Sequence, residues 1–202
     1  MSVVPSTSPN FKANVKEALA DEQLQNALAN IKNGFVRNRR IASERLAEFE
    51  ALRDQARDIK THTIEHLDVY LEIYQQNVEA SGGQVHWAMD EVEARKIILE
   101  ICQNADAKTV TKGKTMIGEE IGINEYLEEN GIEPIETDLG EYIIQLRGEM
   151  PSHIIAPATH VSKEQVADAF KETHTELDAD RSLEDADDLL AEARAMLRDK
   201  FI

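Results

Sequence analysis

The sequence predicts an α/β fold in which a helical N-terminal extension is followed by βα units with a mostly parallel sheet. Two observations support this prediction. Short β-prone runs begin near residues 84, 108 and 132, a spacing of about 24 residues that suits one strand plus one helix. Between these runs, apolar residues recur at the three- and four-residue spacing of helices buried on one face.

The N-terminal part of the chain is predicted to be a leader followed by helices. Residues 1–13 resemble a flexible leader, and residues 14–81 form the predicted helical extension. An Asn-Gly pair at 33–34 predicts a break between two helical tracts, the second of which covers residues 41–78. Ser-Gly-Gly at 81–83 predicts its end.

Residues 82–202 carry the predicted α/β portion. Strands are expected at residues 84–88, 109–111, 132–137 and 153–156. Five helices are expected between and after these strands. One starts after Asp90, the second covers residues 117–129 and ends at Asn130-Gly131, and the third covers residues 139–146. The fourth follows a Ser162/Gln165 capping box, and the fifth follows a Ser182 cap.

Composition argues against several classes of protein. The chain carries 39 acidic and 22 basic residues, a formal charge of −17, which repels nucleic acid and anionic lipid, so nucleic-acid binding is not expected. Cys102 is the single cysteine. It therefore permits neither an intrachain disulfide nor a cysteine-ligated cluster within this chain, and its apolar surroundings predict a buried thiol. No apolar stretch approaches the ~20 residues of a membrane span, and the N-terminus lacks a signal-peptide pattern. A cytoplasmic protein is expected.

The first candidate site lies where a predicted strand passes into a helix. Lys112 and Lys114 follow the strand, Thr115 precedes the helix, and Glu119 and Glu120 lie within it. Backbone N–H groups and the helix dipole favour an anion at such a position, and the two lysines would strengthen its binding. A pair of solvated lysines beside an acidic helix is the equally weighted alternative. A nucleotide-phosphate loop is not expected, since GxxxxGK[ST] would need glycine at position 107, where the chain has Ala107.

A second group of candidates follows the next predicted strand. Glu136, Asp138 and Glu141 lie close together there. They could raise one another's pKa, bind a cation, or pair with the lysines, because the carboxyl ends of parallel strands share one edge of a sheet. We therefore expect Lys112 or Lys114 to meet Glu136 or Asp138. Acidic residues at a helix start are also ordinary partners of the helix dipole.

Histidines supply the last candidate. His160 follows the predicted strand at 153–156 and is expected near the same edge, whereas His153 begins that strand, about 20 Å away at ~3.3 Å per residue. The two are therefore not expected to share a metal. His62 and His66 are spaced i,i+4 on a helix but lack the glutamate of an HExxH motif, so no metal site is predicted.

Three runs of sequence resemble a known family. They are residues 112–132, 136–146 and 151–160, accompanied by Arg37-Asn38-Arg39-Arg40 and His66-Leu67 upstream. The chain is similar over nearly its whole length to the LUD (lactate-utilisation) domain family, in its iron–sulfur B branch. Thr115 and Gly118 stand where the family's lysine segment usually has serine and threonine.

The resemblance implies a fold like that of ribose-5-phosphate isomerase and the CoA transferases. It also implies a role in oxidising L-lactate to pyruvate together with sister lactate-utilisation subunits, through [4Fe–4S] clusters bound by downstream cysteine motifs. Those motifs are absent from these 202 residues. We therefore expect no cluster in this chain, an incomplete LUD domain, and self-association through the apolar face that incompleteness would expose.

These expectations leave three hypotheses on function. The leading one is a part of an electron-transfer subunit in lactate oxidation that is not catalytic alone. The second is an enzyme or binder of small anions in the α/β cleft, where Lys114 would orient the substrate and Glu136 or Asp138 would act as the base. The third is an interaction module formed by the N-terminal helices.

Overall fold

The computed structural model describes residues 8–150, 152 and 156–201. Within this part of the chain, residues 30–89 form one compact unit, and residues 8–29 together with 90–201 form a second. None of the helices in the described residues combines the length and apolarity needed to cross a bilayer.

The unit of residues 30–89 is helical, as the sequence predicts, but the single tract predicted over residues 41–78 is divided among three helices. It contains a π-helical turn Lys32–Val36, α3 (Arg37–Glu44), α4 (Phe49–Glu65) and α5 (Leu67–Ala80). The predicted break at Asn33-Gly34 is wrong. Helical backbone angles continue from Ile31 through the π-turn to Arg37, because a glycine inside a helix costs only about 1 kcal/mol while its neighbours stay hydrogen-bonded.

The predicted end of this helical tract is confirmed, but the strand predicted after it is not. Gly82 has φ +85°, and the N–H of Gly83 donates to the Val78 carbonyl at 2.9 Å. Residues 84–88 then form no strand. The Trp87 indole N–H instead donates to Gln75 Oε1 at 2.9 Å. A β-prone run becomes a strand only when another strand pairs with it, and neither of the two described strands pairs with residues 84–88.

The second unit starts with α1 (Phe11–Ala20) and α2, which covers Glu22–Ile31 and so continues past the boundary of the unit. α1 begins ahead of residue 14, where the sequence places the end of the leader. The Asp21 carboxylate accepts from the N–H of Leu24 at 2.9 Å and so caps α2.

A two-stranded parallel sheet forms the centre of the α/β part. α6 (Glu91–Asn104) leads into β1 (Thr109–Lys112), and β2 (Glu133–Glu136) pairs with β1 in the register Thr109↔Glu133 to Lys112↔Glu136. The predicted strands at 109–111 and 132–137 and the Asp90 cap of α6 are confirmed. The strand predicted at 153–156 falls mostly on residues outside the described part.

Two short helices connect the strands where the sequence predicts one. α7 (Met116–Glu120) and α8 (Ile123–Glu129) are separated at Gly122, whose φ of +63° lies in the left-handed region that favours glycine. Asn130-Gly131 ends α8 as predicted, with Gly131 at φ +76°. These elements enclose a small apolar core of Leu99, Cys102, Ile123, Leu127 and Ile132, so the prediction of a buried Cys102 thiol is confirmed.

Three further helices enclose a second core. α9 (Leu139–Arg147), α10 (Lys163–Thr173) and α11 (Ala186–Phe201) pack around Phe170, which is fully buried. The Ser162/Gln165 capping box of α10 is confirmed. The Ser182 cap is wrong, since the Asp185 carboxylate accepts from the N–H groups of Asp187 and Asp188 at the start of α11.

Candidate functional site

The ends of the two strands hold a buried ion pair. Lys112 and Glu136 are register partners, and Lys112 Nζ lies 2.5 Å from Glu136 Oε1. The two residues are only 8% and 3% exposed. The expected meeting of a lysine from the first site with a carboxylate from the second is therefore found, between Lys112 and Glu136.

Asn124, from the first turn of α8, completes this group. Its Oδ1 accepts from Lys112 Nζ at 2.6 Å, and its Nδ2 donates to Glu136 Oε1 at 3.3 Å. Lys112, Asn124 and Glu136 are called the edge cluster below. Asn124 was not predicted as a site residue from the sequence. One feature could have indicated it: it is a polar residue directly after the apolar Ile123, at the start of a helix that begins beside the strand ends.

Side chains from neighbouring elements fix the backbone around the edge cluster. Gln145 of α9 accepts from the N–H of Glu136 at 3.0 Å and donates to the Pro134 carbonyl at 2.7 Å. The Thr137 hydroxyl donates to the Lys112 carbonyl at 2.7 Å. Gln145 was also missed by sequence reasoning, since an amide in the middle of a helix carries no distinctive pattern. These hydrogen bonds connect the ends of the two strands with each other and connect β2 with α9.

A cavity of about 80 Å³ adjoins the edge cluster and is called the acidic cavity below. Its lining includes the predicted site residues Glu119, Glu136 and Glu141. The full described lining consists of carboxylates, amides and apolar side chains: Glu119, Asn124, Glu125, Glu136, Glu141, Ile144, Gln145, Glu149 and Met150. This described lining has five carboxylates and no lysine or arginine. Two of the carboxylates are paired with cations next to the cavity, Glu136 with Lys112 and Glu149 with Arg147 and His160.

Two other predicted site residues cap helices. The Asp138 carboxylate accepts from the N–H groups of Gly140 and Glu141 at the start of α9, at 3.1 and 3.4 Å. The Thr115 hydroxyl accepts from the N–H of Gly118 at 3.1 Å, at the start of α7. For Asp138 this is the helix-dipole alternative that the sequence left open.

Lys114 and Glu120 are exposed and do not belong to the described lining of the acidic cavity. Lys114 has φ +22°, an unusual value for a side chain other than glycine. The exposure of both residues fits the alternative of a solvated lysine beside an acidic helix.

His160 pairs with a carboxylate that the sequence did not single out. His160 Nε2 lies 2.8 Å from Glu149 Oε2, and Arg147 donates to Glu149 Oε1. Burial raises the pKa of Glu149, but the hydrogen bonds from His160 and Arg147 outweigh it and hold that pKa below its usual range. His160 lines a different cavity, of about 330 Å³, which shares Met150 with the lining of the acidic cavity.

A second buried polar network links α9, α10 and α11. The Tyr142 hydroxyl lies 2.8 Å from His174 Nε2, and His174 Nδ1 lies 2.7 Å from Glu192 Oε1. Arg181 donates to both Glu192 oxygens, at 2.5 and 2.8 Å. Burial, followed by the charges of Glu176 and Glu192, raises the pKa of Tyr142 to about 12. Sequence reasoning missed this network because its members lie far apart in the chain.

Metal-binding geometry is absent from the described part of the chain, where no three His, Cys, Asp or Glu side chains come together in a way that could hold an ion. The rings of His62 and His66 lie 4.4 Å apart on α4. His153, the other histidine considered in the sequence, lies outside the described residues.

Comparison with known proteins decides the family. Residues 71–202 match the LUD domain. The chain belongs to the LUD domain family.

Several curated relatives of this chain are named Lactate utilization protein B. Lactate utilization protein B of Bacillus pumilus (strain SAFR-032) is 40% identical over 193 residues, which cover 95% of this chain and 40% of the relative. The proteins of the same name from Bacillus subtilis (strain 168) and Macrococcus caseolyticus (strain JCSC5402) are 39% identical with the same coverage. The chain thus spans about 40% of the length of these relatives. The predicted resemblance to the B branch is confirmed.

Solved structures give no match to this LUD chain. The α/β class is confirmed by the parallel pair β1 and β2 among the helices. The more specific likeness to ribose-5-phosphate isomerase and the CoA transferases stays a prediction. The edge cluster, the acidic cavity and the Tyr142 network all fall within the matched residues 71–202.

Proposed function

We propose that this chain is part of an electron-transfer subunit that acts in the oxidation of L-lactate to pyruvate and is not catalytic alone. The observation that carries the proposal is its 39–40% identity, over 95% of its length, to relatives named Lactate utilization protein B. Its partners would be sister lactate-utilisation subunits. The name of these relatives supports the lactate role, and the electron-transfer role rests on the family resemblance.

Iron–sulfur clusters do not fit the residues of this chain. A [4Fe–4S] cluster takes four cysteine ligands, and Cys102 is the single cysteine, buried in α6 among apolar side chains. Cluster ligands would have to come from outside these 202 residues.

The chemistry of the strand edge supports a non-catalytic role. The side chains of Asp138 and Thr115 accept hydrogen bonds as helix caps. Lys112 and Glu136 form a buried ion pair. A carboxylate that acts as a general base, or a lysine that binds an anion, must itself be accessible to the substrate in the cavity. The described lining of the acidic cavity also contains no lysine or arginine that could bind lactate or phosphate, which argues against the alternative of an anion-binding enzyme.

The proposal is tested by deleting, in its host, the whole gene that encodes these residues. We expect growth on L-lactate as the sole carbon source to be lost, growth on pyruvate to be kept, and complementation by the intact gene to restore growth on lactate. Unimpaired growth on lactate would refute the lactate role. For electron transfer, the full gene product is purified anaerobically, and a preparation without iron or a reducible cluster signal would refute that part.

One observation favours the interaction-module alternative. α3, α4 and α5 are fully described, and none of their residues is buried. Large apolar side chains are exposed along them, including Leu52, Ile59, Ile64, Ile73 and Tyr74. A helical unit with so much exposed apolar surface is typical of a docking surface for another protein. Light scattering on the purified gene product tests this: a monomer that also fails to co-purify with sister subunits would contradict it.

A further inference from the structure

The long edge of β1 that faces away from β2, called the open β1 edge below, carries backbone groups without partners in the described residues. The N–H of Glu133 in β2 donates to the Lys108 carbonyl at 2.9 Å. Because successive residues of a strand direct their N–H and C=O groups to alternate sides, Thr109 and Thr111 direct theirs away from β2. Both threonines are exposed, and none of the described residues hydrogen-bonds to these outward groups.

The opposite long edge of the same sheet, along β2, is closed. Pro134 has no N–H group, and its carbonyl accepts from Gln145 Nε2 at 2.7 Å. The outward N–H of Glu136 donates to Gln145 Oε1 at 3.0 Å. The Gln145 amide thus takes the place of a neighbouring strand. A further strand could therefore pair with the described sheet only along the open β1 edge.

The sequence of β1 lacks the features that usually protect an open edge. Natural edge strands are protected by proline, by a bulge or by a charged side chain in the strand that keeps other strands away. Residues 109–112 are threonine, valine, threonine and lysine, and that lysine, Lys112, is buried in the ion pair with Glu136. Threonine and valine favour strands. The open β1 edge is therefore suited to the addition of an extended segment through main-chain hydrogen bonds.

Charge distinguishes between the possible occupants of this edge. Lys108 and Lys114 lie just outside the two ends of β1, are exposed, and have no carboxylate partner among the described residues. They favour an occupant with a carboxylate at each end. A second copy pairing through its own β1 would bring lysines to these ends instead, and each copy carries a net charge of −17. We propose that the open β1 edge binds an extended segment of a partner protein, with acidic side chains at both ends, as an added strand.

Binding is measured by titrating the ¹⁵N-labelled chain with a synthetic peptide of alternating threonine and valine that carries an aspartate at each end. NMR follows the backbone amides of Thr109 and Thr111, and we expect saturable shifts and slower hydrogen exchange at both. The control is the same peptide methylated on every backbone nitrogen, because it keeps the side chains and charges but has no N–H groups for strand pairing. Equal shifts with the two peptides, or no saturation, would overturn the proposal.

Variants assign the binding to the open β1 edge. Thr111→Pro removes an N–H that β2 does not use, so the dissociation constant should rise at least about tenfold while the urea stability stays close to that of the wild type. Thr111→Ala keeps this N–H and is the matched control, with an expected change below about twofold. Unchanged binding by Thr111→Pro would exclude the edge. If Thr111→Pro does not fold, the methylated peptide decides the same point.

The flanking lysines are tested separately. Lys108→Gln/Lys114→Gln should raise the dissociation constant about threefold to tenfold and reduce its dependence on salt, because both side chains are exposed. Equal binding by this variant and the wild type would contradict the acidic character of the partner segment.

Two other occupants of the open β1 edge would give different results. If a second copy occupies it, light scattering will show a dimer that Thr111→Pro abolishes. If another segment of this chain pairs with it in solution, the Thr109 and Thr111 amides will exchange slowly before any peptide is added. Either result would overturn the assignment to a partner protein. Neither affects the proposed role in lactate oxidation, since that role is tested by growth.

Discussion

Breaking the buried ion pair of the edge cluster by Lys112→Met should strongly destabilise the protein. The substitution keeps the length of the side chain but removes the donor 2.5 Å from Glu136 Oε1, which leaves the Asn124 contact at 3.3 Å as the remaining hydrogen bond to that carboxylate. Glu136 is 3% exposed and would be a buried charge without a counter-ion. Removing one partner of such a pair costs about 3–5 kcal/mol of the free energy of unfolding.

The double variant Lys112→Met/Glu136→Leu separates this penalty from the value of the pair itself. Apolar residues of similar size commonly replace a buried ion pair at little cost, so we expect the double variant to lie within about 1 kcal/mol of the wild type. Two strongly non-additive substitutions are the signature of a direct interaction between buried groups.

The assay is urea denaturation followed by far-UV circular dichroism, with the free energy of unfolding obtained by linear extrapolation. Lys200→Met is the matched control. Lys200 forms an ion pair at 2.9 Å with Glu133, which lies in β2 like Glu136, but the side chains of Lys200 and Glu133 are 39% and 56% exposed. That exposed pair should contribute less than about 1 kcal/mol. If Lys112→Met and Lys200→Met lower the stability equally, or if the double variant is as unstable as Lys112→Met, the reasoning is wrong.

Three further predictions concern stability. Phe170→Ala in the fully buried core of α10 should cost about 3–5 kcal/mol in the same urea assay, and a loss below about 1 kcal/mol would contradict the packing. Burial raises the pKa of Glu192, but the hydrogen bonds from Arg181 and His174 outweigh it and hold that pKa below 4.5. On acidification the Glu192 carboxylate is therefore protonated first in the unfolded chain. Its contribution to the free energy of unfolding is complete above about pH 4.5 and is lost as the pH falls through the lower pKa of the folded state. Thermal unfolding from pH 7 to pH 3 should show a smaller loss in Glu192→Gln than in the wild type, and identical profiles would refute the assignment. Gly131→Ala, at φ +76°, should cost about 1–2 kcal/mol in urea, whereas Gly113→Ala, with negative φ and open space around it, should cost much less, and equal costs would contradict the role of the backbone angle.

Much of the local structure could be predicted because its causes are local. The Asp90 cap, the Ser162/Gln165 capping box and the glycine that ends α8 each depend on hydrogen bonds or backbone angles within a few residues. The strands at 109–111 and 132–137 were predictable for the same reason, from β-prone residues at regular spacing. The predicted strand at 84–88 failed because strand formation needs a partner from elsewhere in the fold.

The candidate site was predictable only in part. The sequence placed lysines and carboxylates at neighbouring strand ends, and the parallel register then brought Lys112 to Glu136. Side-chain packing decided which lysine is buried. It also decided that the Asp138 carboxylate accepts a hydrogen bond from the backbone of its own helix. Whether the predicted residues have a role in binding stays a prediction.

Sequence alone determined that this is a LUD-family α/β chain with paired βα units, because the period of apolar residues and the family's motifs are properties of the linear chain. Tertiary structure alone decided the environment of each polar group. Asn124 and Gln145 contact Lys112 and Glu136 from different helices. The hydrogen bonds of His174 to Tyr142 and Glu192 connect the end of α10 with α9 and α11. Such contacts join residues far apart in sequence, and burial, which strengthens them, exists only after the chain has folded.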